Sequence, residues 1–426
     1  MSGELTDLER RVLAHLDEDL LVERLAALVR VPSVSGTLAE VEVQEVAADL
    51  MQSEGLYVDH WEIDLPELQA DPWFPGAEVE REAAWGLVGS TAPVERVPAL
   101  VLQSHLDVVP PGDPESWHGQ DPFSAEINGG RLYGRGSCDM KAGAAANLGV
   151  AQALRAAGVT LDSPLGLHFV VGEEDGGLGA FATLRRGHRA DAAVITEPTG
   201  GRLVVANAGA LTFRIEISGR SAHGSMRTTG VSAFDSFLPV HAALMRLEAA
   251  RNASVDPLFG DISHPYALSV GIVSAGDWAS SVPDKLVAEG RYGVLLDEDP
   301  RIARTAFEDA VTEACLAEPW LRENRPVVTW PGGQFASGRL DVGHPLVGDV
   351  QDAVRATGGV AGEPCAAVYG SDLRLYSGIG GIPTLHYGPG DQLLAHAPLE
   401  HVVIEELIAV TRSLIVLALR RCGSRD

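Results

Sequence analysis

Val170-Val171-Gly172-Glu173-Glu174-Asp175 closes an apolar run with three acidic residues in a row. Leu165, Leu167, Phe169 and Val171 alternate with smaller or polar residues, which predicts a strand that carries the carboxylates at its C-terminal end. Gly176, Gly177 and Gly179 then let the backbone turn sharply into Ala180-Phe181-Ala182-Thr183-Leu184. In an open α/β sheet, ligands bind outside that end of the strands. Adjacent anions repel, so the triplet calls for a cation, and a metal ion is the first to consider. A solvated acidic loop is the other reading of these three residues alone.

Other stretches point to the same edge. Residues 192–196 form a short apolar strand that runs into Glu197-Pro198-Thr199. Residues 99–104 form another, leading into His105-Leu106-Asp107. His105 and Asp107 lie two apart and share one face of an extended chain. Imidazole ligates zinc well, and a carboxylate can fix its tautomer through the far ring nitrogen. Alternatively, Asp107 contacts a backbone amide and His105 is a core residue. Gly134-Arg135-Gly136-Ser137-Cys138-Asp139-Met140-Lys141-Ala142-Gly143 is a glycine-rich turn with one carboxylate where a helix over 142–157 begins. It matches neither phosphate-loop pattern, and Asp139 would repel phosphate. Three strand ends and a helix start thus bring His105, Glu173, Glu174, Glu197 and Asp139 towards one edge of a parallel sheet, the arrangement of a metal site. His386, His396 and His401 compete as a further ligand, and spacing does not choose among them.

At 426 residues the chain exceeds one ordinary core, so two domains are expected. Helices are predicted over 8–31 and 38–53, with a strand near 56–63 and a proline-bearing loop over 65–76. Near Asn207 the pattern changes: Leu211, Phe213, Ile215 and Ile217 alternate with Thr212, Arg214, Glu216 and Ser218, a half-exposed strand. A helix over 234–250, strands over 268–273 and 285–295, a helix over 300–315 and a strand over 326–330 complete a βαββαβ set. From His344 a helix to Ala356 resumes the larger domain. The expected class is α/β: a mostly parallel central sheet flanked by helices, made of residues 1–207 and 336–426, with an α+β domain inserted at 208–335. The formal charge of −27 argues against nucleic acid or an anionic membrane as partner. The four cysteines form no Cys-x-x-Cys pair, which argues against a disulfide framework or a thiolate zinc site. The first residues lack signal-peptide features, and the apolar run 413–419 is too short to span a bilayer, so a cytoplasmic protein is expected.

Taken in order, Ser-His-Leu-Asp-Val-Val-Pro, Gly-Arg-Gly-Ser-Cys-Asp-Met-Lys-Ala-Gly, Gly-Glu-Glu-Asp, Glu-Pro-Thr and Ala-His-Ala-Pro resemble the co-catalytic zinc aminoacylase and carboxypeptidase family over nearly the whole chain. That family includes acetylornithine deacetylase, succinyl-diaminopimelate desuccinylase and glutamate carboxypeptidase. The resemblance implies a zinc-exopeptidase fold with a ferredoxin-like lid and dimerisation domain. It also implies two divalent ions, zinc first, with cobalt or manganese as substitutes. His105 and Glu197 would hold one ion, Glu174 and His396 the other, and Asp139 both, with a cis bond to Met140. Asp107 would orient His105. Glu173 would be the general base for attack by a hydroxide held between the ions. His223, in Ser-Ala-His-Gly-Ser, would stabilise the oxyanion from a partner subunit, making the protein a homodimer. The family's Asp-x-Arg segment reads Gly290-Arg291-Tyr292 here, and its Asn before Val-Pro is replaced in Ser280-Ser281-Val282-Pro283. Arg374, in Ser371-Asp372-Leu373-Arg374, is then the carboxylate clamp or a structural partner of Asp372. The implied activity is hydrolysis of an N-acyl amino acid, as by acetylornithine deacetylase; a dipeptidase or carboxypeptidase is the alternative, and a catalytically silent binding protein the third.

Overall fold

The computed structural model describes residues 4–425. The chain divides into two compact units: one runs to Ala206 and resumes over Arg339–Cys365 and from Asp372, and the other is Asn207–Gly338 with Ala366–Ser371.

The first unit is built on a twisted sheet whose middle is parallel. Strands Leu165–Val170, Leu100–His105, Ala193–Ile195 and Thr384–His386 lie side by side in that order, and each adjacent pair is parallel. Every residue of Leu165–Val170 and Leu100–His105 is buried, as parallel strands covered on both faces must be. Val101, Val170, Ala193 and Ile195 join Leu178, Phe181, Leu184, Leu373 and Tyr376 in one apolar cluster. Helix Lys141–Ala156 packs on strand Leu100–His105 and against helices Glu18–Val29 and Ile404–Cys422. It comes close because it is made of small residues. A Cβ on Gly143 would stand 2.2 Å from the Thr196 carbonyl oxygen, closer than any real contact.

Two local expectations are corrected, and one further strand joins the sheet. The helix expected over 8–31 is two, Asp7–Leu13 and Glu18–Val29, because Asp17 caps a new start by accepting the Leu20 amide. The expected loop over 65–76 opens with helix Leu65–Ala70, where Asp64 is the cap and Pro66 sits in the first turn, which tolerates it. An antiparallel strand, Trp85–Ser90, extends the sheet between Tyr57–Glu62 and Leu165–Val170.

The second unit is an antiparallel sheet carrying two long helices. Strand order is Leu268–Ala275, Lys285–Val294, Gly209–Ser218, Val327–Thr329. Along Gly209–Ser218 the burial alternates strictly, so Leu211, Phe213, Ile215 and Ile217 face a core shared with Phe237, Val240 and Leu244 of helix Ala233–Arg251 and Phe307 and Val311 of helix Pro300–Ala317. The Phe307 ring packs there against Phe213 and Tyr292, with centroids 4.8 and 5.2 Å away. Among the described residues no helix is long and apolar enough to cross a membrane.

Candidate metal centre

The parallel strands end close to one another, and His105 at the end of one converges with residues just past the ends of its neighbours. The donor atoms of His105, Glu173 and Glu197 lie within 4.8 Å of one another, as do those of His105, Asp139 and Glu174. Asp139 stands between two imidazoles: Oδ1 is 3.2 Å from His105 Nε2 and Oδ2 is 3.5 Å from His396 Nε2. His396 Nε2 is also 3.0 Å from a Glu174 oxygen. The peptide bond between Asp139 and Met140 is cis. Of the competing histidines, His386 is buried within strand Thr384–His386, and His401 bonds the Leu399 carbonyl and stacks on Tyr133. Only His396 of the three reaches the cluster.

Four carboxylates facing two imidazoles is an unstable arrangement without added positive charge. Burial, then the field of Glu197, pushes Glu173 well above the usual carboxylate range. Burial and Asp139 do the same to Glu197, and raise Glu174. On Asp139 burial is outweighed by the His105 hydrogen bond, and its pKa falls. The bond to Glu174 is the largest influence on His396, lifting it to about 9. Carboxylate and imidazole donors, held close and repelling one another, suit divalent metal ions, and two such ions would neutralise the four carboxylates.

The shell behind the donors differs in part from expectation. The Nδ1 atom of His105 bonds the main-chain carbonyl of Asp107 at 2.9 Å, while the Asp107 carboxylate lies 3.7 Å away. That carboxylate instead accepts the backbone amides of Glu173 and Glu174 and the Ser35 hydroxyl. Asp107 thus orients His105 through its backbone and fixes the acidic turn through its side chain. The third acid of the triplet, Asp175, is no donor to the cluster. Its cation is Arg81, which bonds both of its oxygens and also bridges to Glu40. A Cβ on Gly176 would strike the Gly76 carbonyl oxygen at 2.2 Å, so this turn accepts only glycine. Asn147, Ser104 and Thr196 form a buried hydrogen-bonded triangle immediately before His105 and Glu197. Sequence reading passed over that triangle, and also Arg81, because each joins residues far apart in the chain.

Arg374 is buried and donates to the Gly176 carbonyl at 2.6 Å; burial lowers its pKa to about 10. Asp372 accepts from Gln103. His223 belongs to the second unit, on an exposed turn, where its Nδ1 accepts the Ser225 amide at 3.2 Å. The same Nδ1 is 2.8 Å from the Ser225 hydroxyl, which leaves Nε2 as the ring nitrogen without a partner on this turn.

A parallel sheet whose strand ends carry His105 and the glutamates, with Asp139 and His396 brought in from loops, presents the donor set of a metal-dependent enzyme. Residues 101–420 match the sequence profile of Peptidase family M20/M25/M40, and the chain belongs to that family, whose members hydrolyse amide bonds. It is 26% identical to the N-formyl-4-amino-5-aminomethyl-2-methylpyrimidine deformylase of Bacillus subtilis, across 100% of this chain and 99% of the relative. It is 32% identical to a probable carboxypeptidase of Aspergillus clavatus, covering 76% of this chain and 70% of that one. Its fold superposes on a tripeptidase from Staphylococcus aureus with a TM-score of 0.73 at 22% identity, covering 96% of this chain and 99% of that structure.

Proposed function

We propose that the chain removes the acyl group from a small N-acyl amino acid, in the manner of acetylornithine deacetylase. The observation that carries this is Glu173: a buried carboxyl whose oxygen lies within 4.8 Å of donor atoms of His105 and Glu197, one residue before Glu174 of the second group. His105 and Glu197 would hold one divalent ion, Glu174 and His396 the other, and Asp139 both. Zinc is the first candidate. When bound, such ions polarise the amide carbonyl and make water acidic enough to react near neutral pH. Glu173 takes the proton of the attacking water and returns it to the nitrogen of the leaving amine. Asp107 keeps Glu173 and Glu174 aimed by fixing their amides.

The second unit, in this reading, is a lid and dimerisation module. His223 would donate its Nε2 proton to the oxyanion of the partner's substrate. The support is its exposure, with Nδ1 held by Ser225 and Nε2 left to reach outward. Strand Leu268–Ala275 supports pairing of two copies: it is a sheet edge and exposes Ile272 and Val273. Arg374 is the proposed clamp for a substrate carboxylate, which would replace its bond to Gly176.

The full-length similarity to a deformylase favours removal of a small acyl group. The carboxypeptidase relative supports a second reading, peptide hydrolysis. A metal-loaded sample tested for amine release separates them. Faster turnover of N-formyl and N-acetyl amino acids than of dipeptides is expected. Preference for dipeptides would move the assignment to a peptidase, and no release from either class would overturn both readings.

A further inference from the structure

Two loops far apart in sequence carry donors: Asp139 from the glycine-rich turn, and His396 from the segment before helix Ile404–Cys422. Both loops meet a single buried ion pair, Arg135 with Glu400, which the proposed chemistry does not use. Glu400 is fully buried. Its Oε1 accepts the backbone amides of Cys138 at 2.9 Å and of Asp139 itself at 3.0 Å, and its Oε2 accepts Arg135 Nη1. From the same guanidinium, Nη2 donates to the carbonyl of His396 at 3.1 Å, and Nη1 also reaches the carbonyl of Ala397 at 3.3 Å. The pair therefore grips the main chain of one donor residue at each end. His396 needs such a grip. Its φ is +61° and that of Leu399 is +57°, backbone conformations that side-chain-bearing residues hold only when their surroundings enforce them.

We propose that Arg135 and Glu400 act as a positioning clamp that sets the placement of Asp139 relative to His396, and so completes the site those two share with Glu174. The proposal rests on the two-ion reading above. A plain core ion pair would hold any backbone within reach, and swapping it for well-packed groups is often neutral for stability. A clamp makes a narrower demand, since a planar fork must serve Glu400 and the His396 carbonyl together. Lysine keeps the charge but not the fork. The ion shared by Asp139, Glu174 and His396 depends on both ends of the clamp, whereas the ion at His105 and Glu197 depends on one.

Cobalt(II) titration, followed by calorimetry and by the visible absorption of the bound ion, tests this on the full chain. The parent should take up two equivalents. In Arg135→Lys and in Glu400→Gln, one equivalent should weaken about 10–100-fold with an altered visible band, the range expected when groups behind ligands are lost. The other equivalent should keep its affinity within a few-fold. Arg135→Lys retains the charge, so the metal-free variant should unfold near the parental midpoint; if it does not, Glu400→Asp supplies the same comparison. Two equivalents with parental affinity and spectrum in every folded variant would overturn the clamp. A parent that binds no cobalt would overturn the two-ion reading instead.

Discussion

Glu173→Gln separates two roles that the geometry sets side by side. The carboxylate stands with His105 and Glu197 as a cluster of donors, yet the proposed chemistry needs it as a base. The amide has nearly the same size and leaves the Glu173 backbone bond to Asp107 intact. A positioned base is worth about 10²–10⁴ in rate, or roughly 3–5 kcal/mol of transition-state stabilisation. The variant should therefore lose kcat/KM by that factor. Stability should respond in the opposite sense. Glu173 is buried near Glu197, Asp372 and Glu174, whose charges raise its pKa, so a neutral side chain relieves repulsion. The metal-free variant should unfold at an equal or higher midpoint. Metal content, read by plasma emission on protein freed of loose ions, should match the parent at two per chain. Loss of one equivalent together with activity would make Glu173 a ligand and refute its role as base.

Three further perturbations reach the rest of the structure. Ile272→Lys puts a charge on the exposed sheet edge of the second unit, so light scattering should show a dimeric parent and a monomeric variant; a monomeric parent would contradict the pairing. Burial lowers the pKa of His386 to about 3, against 6.5 for the free side chain, so between those values the unfolded chain binds more protons and stability falls as pH falls. The stability advantage of the parent over His386→Asn should shrink by about 2 kcal/mol between pH 7 and pH 5, measured by urea unfolding. Gly143→Ala drives a methyl into the Thr196 carbonyl behind Glu197 and should cost about 1–3 kcal/mol, despite alanine's better helix propensity.

The centre of the molecule was legible where chemistry sits at the end of a regular element. His105 ends one short apolar strand and Glu173, Glu174 and Glu197 follow two others, and parallel strands whose ends lie close bring these residues together. His396 was not legible from spacing, because a loop held in a left-handed conformation has no periodicity. The motif resemblance, not the pattern, singled it out from His386 and His401. The break at Asp17 was hidden because the apolar spacing continues through Leu13 and Leu16. Helix Leu65–Ala70 was hidden because its proline reads as a breaker unless Asp64 is seen as the cap. Strand Trp85–Ser90 carries Gly86 and Gly89 where strand formers are usual. Trp61 and Met51 occupy the space their side chains would take, a packing constraint invisible in one sequence. The Asp107 carboxylate was expected to orient His105, but it serves the amides of Glu173 and Glu174, 66 and 67 residues on in sequence and adjacent only in the fold.

Anomalous diffraction from crystals grown with zinc bears most directly on the whole account. Two peaks are expected within bonding distance of the donors, one touching His105 and Glu197, the other Glu174 and His396, with Asp139 reaching both. A map with no density among these five side chains, while the protein still hydrolyses amides, would contradict it.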